Sequence, residues 1–170
     1  MLRREPGGAS MSSARRAIAF VDLCAYSRFT RTHGDHAAAA IIVQLRRVVT
    51  RHAAEHRTDL VGWTGDGAVL MSADAAVLAR CCRAIIDEVC ACTPLALRGG
   101  LAIGDVLLLG DGDVIGSTVN RAAELCQYAS PATLVADEPP PMARRYHVPR
   151  VEPLRGGRCA VSPSSERGAP

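Results

Sequence analysis

The chain has 170 residues, 48% of them hydrophobic, which suits one packed domain; aromatics are only 4%, so Ala, Val, Leu and Ile must fill its core. A net charge of +3, with Arg scattered in pairs such as Arg3-Arg4, Arg15-Arg16 and Arg144-Arg145, argues against a nucleic-acid footprint. No apolar run approaches the roughly 18 residues of a membrane span, and the N-terminus lacks signal-peptide order, so the expectation is a cytoplasmic protein without a membrane partner.

Residues 1–15 read as a disordered lead of Gly, Ser, Pro and Arg, in which Met11 is an alternative start to Met1. Ala17–Leu23 is a short apolar run ending in an acid, the pattern of a buried strand. A helical period runs from about Gly34 to His56, with Ala40, Val43, Leu45, Val48 and Val49 as its apolar stripe. Residues 59–71 form two apolar halves around Gly65-Asp66-Gly67, a hairpin signal. Asp74–Cys92 is a second helix with Asp74 as N-cap. Leu95–Ile103 and Val106–Leu109 read as strands broken at Gly104-Asp105, and residues 110–113 as a polar turn. Ser117–Tyr128 is a third helix and Ala132–Val135 a closing strand.

The implied fold class is α+β: a ferredoxin-like split βαβ (βαββαβ) core with an added strand–helix–strand. The domain spans 16–138, an extension at 139–161 packs on it, and 162–170 is a disordered tail. Seven cysteines, Cys24, Cys81, Cys82, Cys90, Cys92, Cys126 and Cys159, include no C-x-x-C pair, and the four in or beside the second helix, Cys81, Cys82, Cys90 and Cys92, read as small buried hydrophobes rather than soft-metal ligands. His52 and His56 are spaced i,i+4 as a metal pair would be, but with no third ligand evident they read as cations at a helix C-terminus.

Chemistry concentrates on two acids. Asp22 ends a buried strand, and the turn after it leads into a helix N-terminus whose backbone N–H groups suit phosphate. Asp66 lies in the turn of the neighbouring hairpin. A lone Gly-Asp-Gly is ordinarily a turn and a lone strand-end Asp ordinarily a cap. Together, beside a phosphate cradle, they suit Mg²⁺, which takes a few carboxylates plus phosphate oxygens.

Four segments carry a family resemblance. Phe20-Val21-Asp22-Leu23, with Tyr26-Ser27 and Phe29-Thr30, resembles the opening motif of class III adenylate and guanylate cyclases. Residues 60–67 resemble their second metal motif, residues 97–106 their R-x-G strand pair, and residues 113–123 their D-x-x-G-x-x-V-N-x-A segment. The resemblance implies that a nucleoside triphosphate binds with two Mg²⁺ or Mn²⁺ ions, the ribose 3′-hydroxyl attacks the α-phosphate, and pyrophosphate leaves. It further implies that Asp22 and Asp66 hold the metals with the Leu23 carbonyl. Cys24, Ala25, Tyr26, Ser27, Arg28 and Phe29, with Gly65, would surround the phosphates. Asp113 would read the base edge and Asn120 would orient the ribose. Members act as head-to-tail homodimers, each site shared between protomers.

Two positions depart from that family. Gly62 stands where it has a base-selecting Lys, and Glu124 where it has a transition-state Arg. A guanidinium beside a reacting phosphate is worth on the order of 10³-fold in rate. Arg121 shares a helix face with Glu124 and either reaches the phosphate in its place or pairs with Glu124. Three functions remain: a cyclase of relaxed or non-purine base choice, a degenerate cyclase-homology domain that binds nucleotide or a partner, and a plain dimerisation module.

Overall fold

A computed structural model describes residues 11–110 and 112–137, together with the backbone of 152–154 and 158–161. Its elements are β1 (Met11–Leu23), α1 (Tyr26–His33), α2 (Asp35–His56), β2 (Asp59–Trp63), β3 (Gly67–Ser72), α3 (Ala75–Cys92), β4 (Leu97–Leu109), β5 (Val114–Ile115), α4 (Ser117–Tyr128), β6 (Leu134–Ala136), β7 (Glu152–Leu154) and β8 (Arg158–Val161). One sheet carries the order β2-β3-β1-β4-β6-β8-β7, with β5 paired to β4. Its first four positions are the split βαβ arrangement expected from the sequence, and the class is α+β.

β1 is central, and from Ala17 to Val21 it packs against a core on each face, which is why that stretch reads as an apolar run. Ala17, Ala19, Val21 and Leu23 face a core shared with α2 and α3, where Leu45, Val48, Leu78, Ile85 and Ile86 are buried. Ile18 faces a second core beneath α4, with Ala102, Ala122 and Leu125. Gly100 permits that second layer to close. A Cβ there would land on the Cys126 amide and the Ala122 carbonyl, and 2.6 Å from Leu125 C.

Several boundaries differ from the sequence expectation. β1 begins at Met11, so residues 11–15 are strand rather than disordered lead; Met11 to Arg16 pair with Leu109 to Gly104, a long-range ladder without a local signal. β4 does not break at Gly104-Asp105. Gly104 instead makes room for Thr118, whose hydroxyl donates to the Asp105 carbonyl at 2.8 Å. The turn after Asp22 holds a separate helix, α1, entered through Ala25 at φ 59°. The buried stripe of α2 is Ala38, Ile41, Leu45, Val48, Val49, His52 and Ala53; Ala40 and Val43 point outward, because Val43 lies two residues from both Ile41 and Leu45. The closing strand runs Leu134–Ala136.

Other expectations hold. Asp74 caps α3, its Oδ1 accepting from the amides of Ala76 (2.8 Å) and Val77 (3.1 Å). Trp63 packs on the core with the Arg46 guanidinium 5.2 Å from its ring centre. Cys81, Cys82 and Cys126 are buried and Cys24 and Cys90 half-buried, but Cys92 is exposed, and the side chain of Cys159 lies outside the described residues. Burial pushes the Cys126 thiol up to about 12, so this cysteine is inert. Among the described residues no helix is long and apolar enough to cross a membrane.

Candidate active site

The β1–β3 ladder brings the two acids together. Asp22 stands opposite Gly67, the residue after Asp66, and the Leu23 amide donates to the Asp66 carbonyl at 3.1 Å. Gly67 keeps the gap between the strands narrow. A Cβ there would press into the Val21 carbonyl and come 2.7 Å from Thr64 Oγ1 and 3.2 Å from Asp22 Oδ1. Gly65 turns the hairpin at φ +84°, in the region that favours glycine.

Both carboxylates are half-buried. Burial raises the affinity of Asp22 for its proton, and the nearby negative charge of Asp66 adds to it; a bond from Arg98 opposes the rise without cancelling it. Arg98 Nη2 donates to Asp22 Oδ2 at 3.1 Å, and Nη1 donates to the Gln127 carbonyl at 3.1 Å. Nε of Arg98 is buried without a hydrogen-bond partner among the described residues. Sequence reasoning gave Arg98 no role, although a lone cation in an apolar central strand was the available signal.

The phosphate-side turn is narrower than the sequence suggests. The Cys24 amide donates to the Ala96 carbonyl at 2.8 Å, and the Phe29 amide to the Ala25 carbonyl at 3.0 Å. Those two N–H groups are therefore committed within the fold. Tyr26, Ser27 and Arg28 open α1, and first-turn N–H groups have no intrahelical acceptor. Burial also raises the proton affinity of the Cys24 thiol, which keeps it out of thiolate chemistry.

Asp113 and Asn120 lie elsewhere. Asp113 sits just before β5, its carbonyl accepting from the Leu109 amide at 2.9 Å. Asn120 lies on the first turns of α4, exposed, beside a cavity of about 500 Å³ lined by Ile103, Ser117, Thr118, Arg121, Glu124 and Asp137 among others. Asp22 pairs with Arg98 and Arg16 with Gly104, which Thr118 touches. Six residues of strand, about 20 Å, therefore separate Asp22 from the Thr118 end of this cavity, and four, about 13 Å, from its near wall at Ala102, which pairs with Ile18. Within one chain the two groups do not meet.

Arg121 is engaged at the cavity wall. Its Nε lies 2.8 and 2.9 Å from the two oxygens of Asp137, and its Nη2 lies 2.7 Å from Oδ1. The Glu124 contact that the sequence suggested is there but longer, 3.4 Å. Asp137 had no sequence signal, because β6 brings it beside α4 through tertiary structure alone. At Gly62 a side chain would meet open space.

Solved structures share this architecture. A guanylyl cyclase domain of the RhoGC fusion protein from Blastocladiella emersonii superposes with a TM-score of 0.76 at 15% identity, over 90% of this chain and 96% of that one. The guanylate cyclase domain of RhGC from Catenaria anguillulae, solved in complex with GTP, gives 0.72 at 14% identity over 88% and 95%. The adenylyl cyclase CyaB from P. aeruginosa gives 0.68 at 13% identity over 75% and 78%. The fold is that of class III cyclase catalytic domains. No protein-family model matches the chain. Among curated proteins, uncharacterized proteins of Mycobacterium tuberculosis and Mycobacterium bovis are 29% identical over 130 residues, 76% of this chain. The chain spans about a third of their length, 34%. The cyclase-type fold therefore has its Asp22–Asp66 pair at one end of the β1–β4 ladder and its α4 cavity beside the middle of it.

Proposed function

We propose that this cyclase-type domain binds a metal–nucleoside triphosphate at Asp22 and Asp66 and forms a 3′,5′-cyclic nucleotide plus pyrophosphate as a head-to-tail homodimer. The observation that carries the reading is the half-buried carboxylate pair, in which burial and Asp66 together disfavour the charge on Asp22. Its hard oxygen donors fit Mg²⁺ or Mn²⁺, which would relieve that strain. Asp22, Asp66 and the Leu23 carbonyl would hold the ions, which when bound supply charge for the triphosphate and acidify the attacking hydroxyl.

The chain's own groups do the rest. Tyr26, Ser27 and Arg28 offer backbone N–H groups to the terminal phosphates, and the α1 dipole favours the anion. Arg98, at the rim of the acid pair, supplies a guanidinium for phosphate once Asp22 turns to metal. Asp113 and Asn120 bind base and ribose. The separation of four to six strand residues, roughly 13–20 Å, within one protomer supports their acting on the site of the partner protomer. Gly62 leaves the base edge unread by a cation, so base choice is relaxed and includes pyrimidines.

A specific observation favours a second reading, a degenerate domain that binds nucleotide or a partner without turnover. Among the described residues of the α4 cavity, one cation, Arg121, faces two carboxylates, Asp137 and Glu124. An excess of negative charge there opposes a developing phosphate charge. The experiment is direct: purified protein with Mn²⁺ and each of ATP, GTP, CTP and UTP, read for cyclic product against Asp22→Ala. Product above that control supports turnover. Absence with all four nucleotides, while Mn²⁺–nucleotide still binds, leaves the degenerate domain.

A further inference from the structure

The C-terminal turn of α2 carries a cluster that the cyclase reading does not use. His52, Glu55 and His56 each offer a ligand atom, and these atoms lie within 4.8 Å of one another. Spacings of i, i+3 and i+4 put all three on one helix face. His52 is only 8% exposed, so it is no solvated helix-end cation.

The hydrogen bonds around the cluster orient it. His52 Nε2 lies 2.8 Å from Glu88 Oε2 on α3. Glu88 Oε2 also accepts from Arg51 Nη2, which lies 3.3 Å from His52 Nε2; a carboxylate oxygen only accepts, so the 2.8 Å contact makes His52 Nε2 its donor. That bond turns Nδ1 towards the cluster, and Nδ1 is buried with no hydrogen-bond partner among the described residues. Glu55 Oε2 stands 3.3 Å from it, out of line for a direct bond. Two atoms each about 2.0–2.1 Å from a tetrahedral ion lie about 3.3–3.4 Å apart. His56 Nδ1 contacts the His52 carbonyl at 3.0 Å, which fixes Nδ1 as donor and puts the ring's lone pair on Nε2. Arg51 binds Glu55 through Oε1, leaving Oε2 to the cluster. A carboxylate or carbonyl behind each ligating imidazole is the outer shell that metal-binding histidines need. The negative end of the α2 dipole adds to the attraction for a cation.

We propose that His52 Nδ1, Glu55 Oε2 and His56 form a binding site for a divalent transition cation of the zinc class, with Glu88 as the positioning carboxylate. The ion would tie the last turn of α2, through His52 and Glu88, to α3. This site stands apart from the acid pair: α2 ends where the chain enters β2, whereas Asp66 closes the other end of that five-residue strand, roughly 16 Å away. It does not rest on the nucleotide reading.

The test uses the full chain, stripped of metal and kept in excess Mg²⁺, which avoids imidazole ligands. Titration with Zn²⁺ in a calorimeter should show one Mg²⁺-resistant site per chain. Glu55→Gln and His56→Gln, on the helix surface, should weaken it on the order of 100-fold or more, and Glu88→Gln by about 10–100-fold. Asp22→Asn should leave it unchanged. Co²⁺ in place of Zn²⁺ should give visible d–d absorption without thiolate charge transfer. Unaltered Zn²⁺ affinity in both Glu55→Gln and His56→Gln, or a thiolate band from the cysteines, overturns the proposal.

Discussion

At the residue scale, Asp22 shows how a site trades stability for function. Its folded carboxyl binds a proton more tightly than the unfolded one. The stability linked to it is therefore complete below the ordinary carboxylate value and is lost as pH rises through the raised folded value. Asp22→Asn should stabilise the metal-free protein near pH 7, and that gain should vanish below about pH 4, read from urea midpoints. The same variant should lose Mn²⁺–nucleotide binding. The departed positions make the complementary case. Gly62 opens onto free space, and the Glu124 side chain is 56% exposed, so larger cations fit both places. Gly62→Lys combined with Glu124→Arg should raise cyclic product by up to about 10³-fold and narrow base choice towards purines. An unchanged rate and unchanged base preference would sink the account of these two departures.

At the scale of elements, the close approach of α4 to β4 sets the second core. Gly100→Ala places a methyl into the helix backbone, which must move away from the strand. A loss of about 1–3 kcal/mol is expected, measured by chemical denaturation. The same shift moves Arg98, whose Nη1 is held by the Gln127 carbonyl at the end of α4, so nucleotide binding should weaken together with stability. Asp74→Ala is a contrast. It removes the α3 cap at a cost of about 1 kcal/mol and leaves binding untouched, because the cap follows Ser72, at the end of β3 away from Asp66.

At the scale of the whole molecule, the question is which two surfaces meet. The acid pair and the α4 cavity are fixed apart by the β1–β4 ladder, and no side-chain motion spans four to six strand residues, roughly 13–20 Å. If a homodimer completes the site, Asp22→Asn and Asn120→Ala chains should each be inactive. Mixed in equal amounts, half the dimers are hybrid and one of their two sites is intact, so about a quarter of native activity should return. No recovery on mixing would falsify the shared site.

Much of this protein was legible in its residues. Asp22 ends an apolar run, Gly65-Asp66-Gly67 turns a hairpin, Asp74 caps a helix, and the 117–128 period gives α4 its bounds, because these signals are local. From them followed the order of elements and the neighbourhood of the two acids. Strand pairing between distant segments was not legible, which is why β1 gained residues 11–15 and β4 ran through Gly104. Tertiary packing alone set Arg98 on Asp22, Asp137 on Arg121 and Glu88 on His52. Each of these contacts joins residues at least 16 positions apart, and no local pattern records where two elements will touch. The chain thus declares its acids by sequence, while burial and the partners brought by the fold decide which charges are available to a ligand.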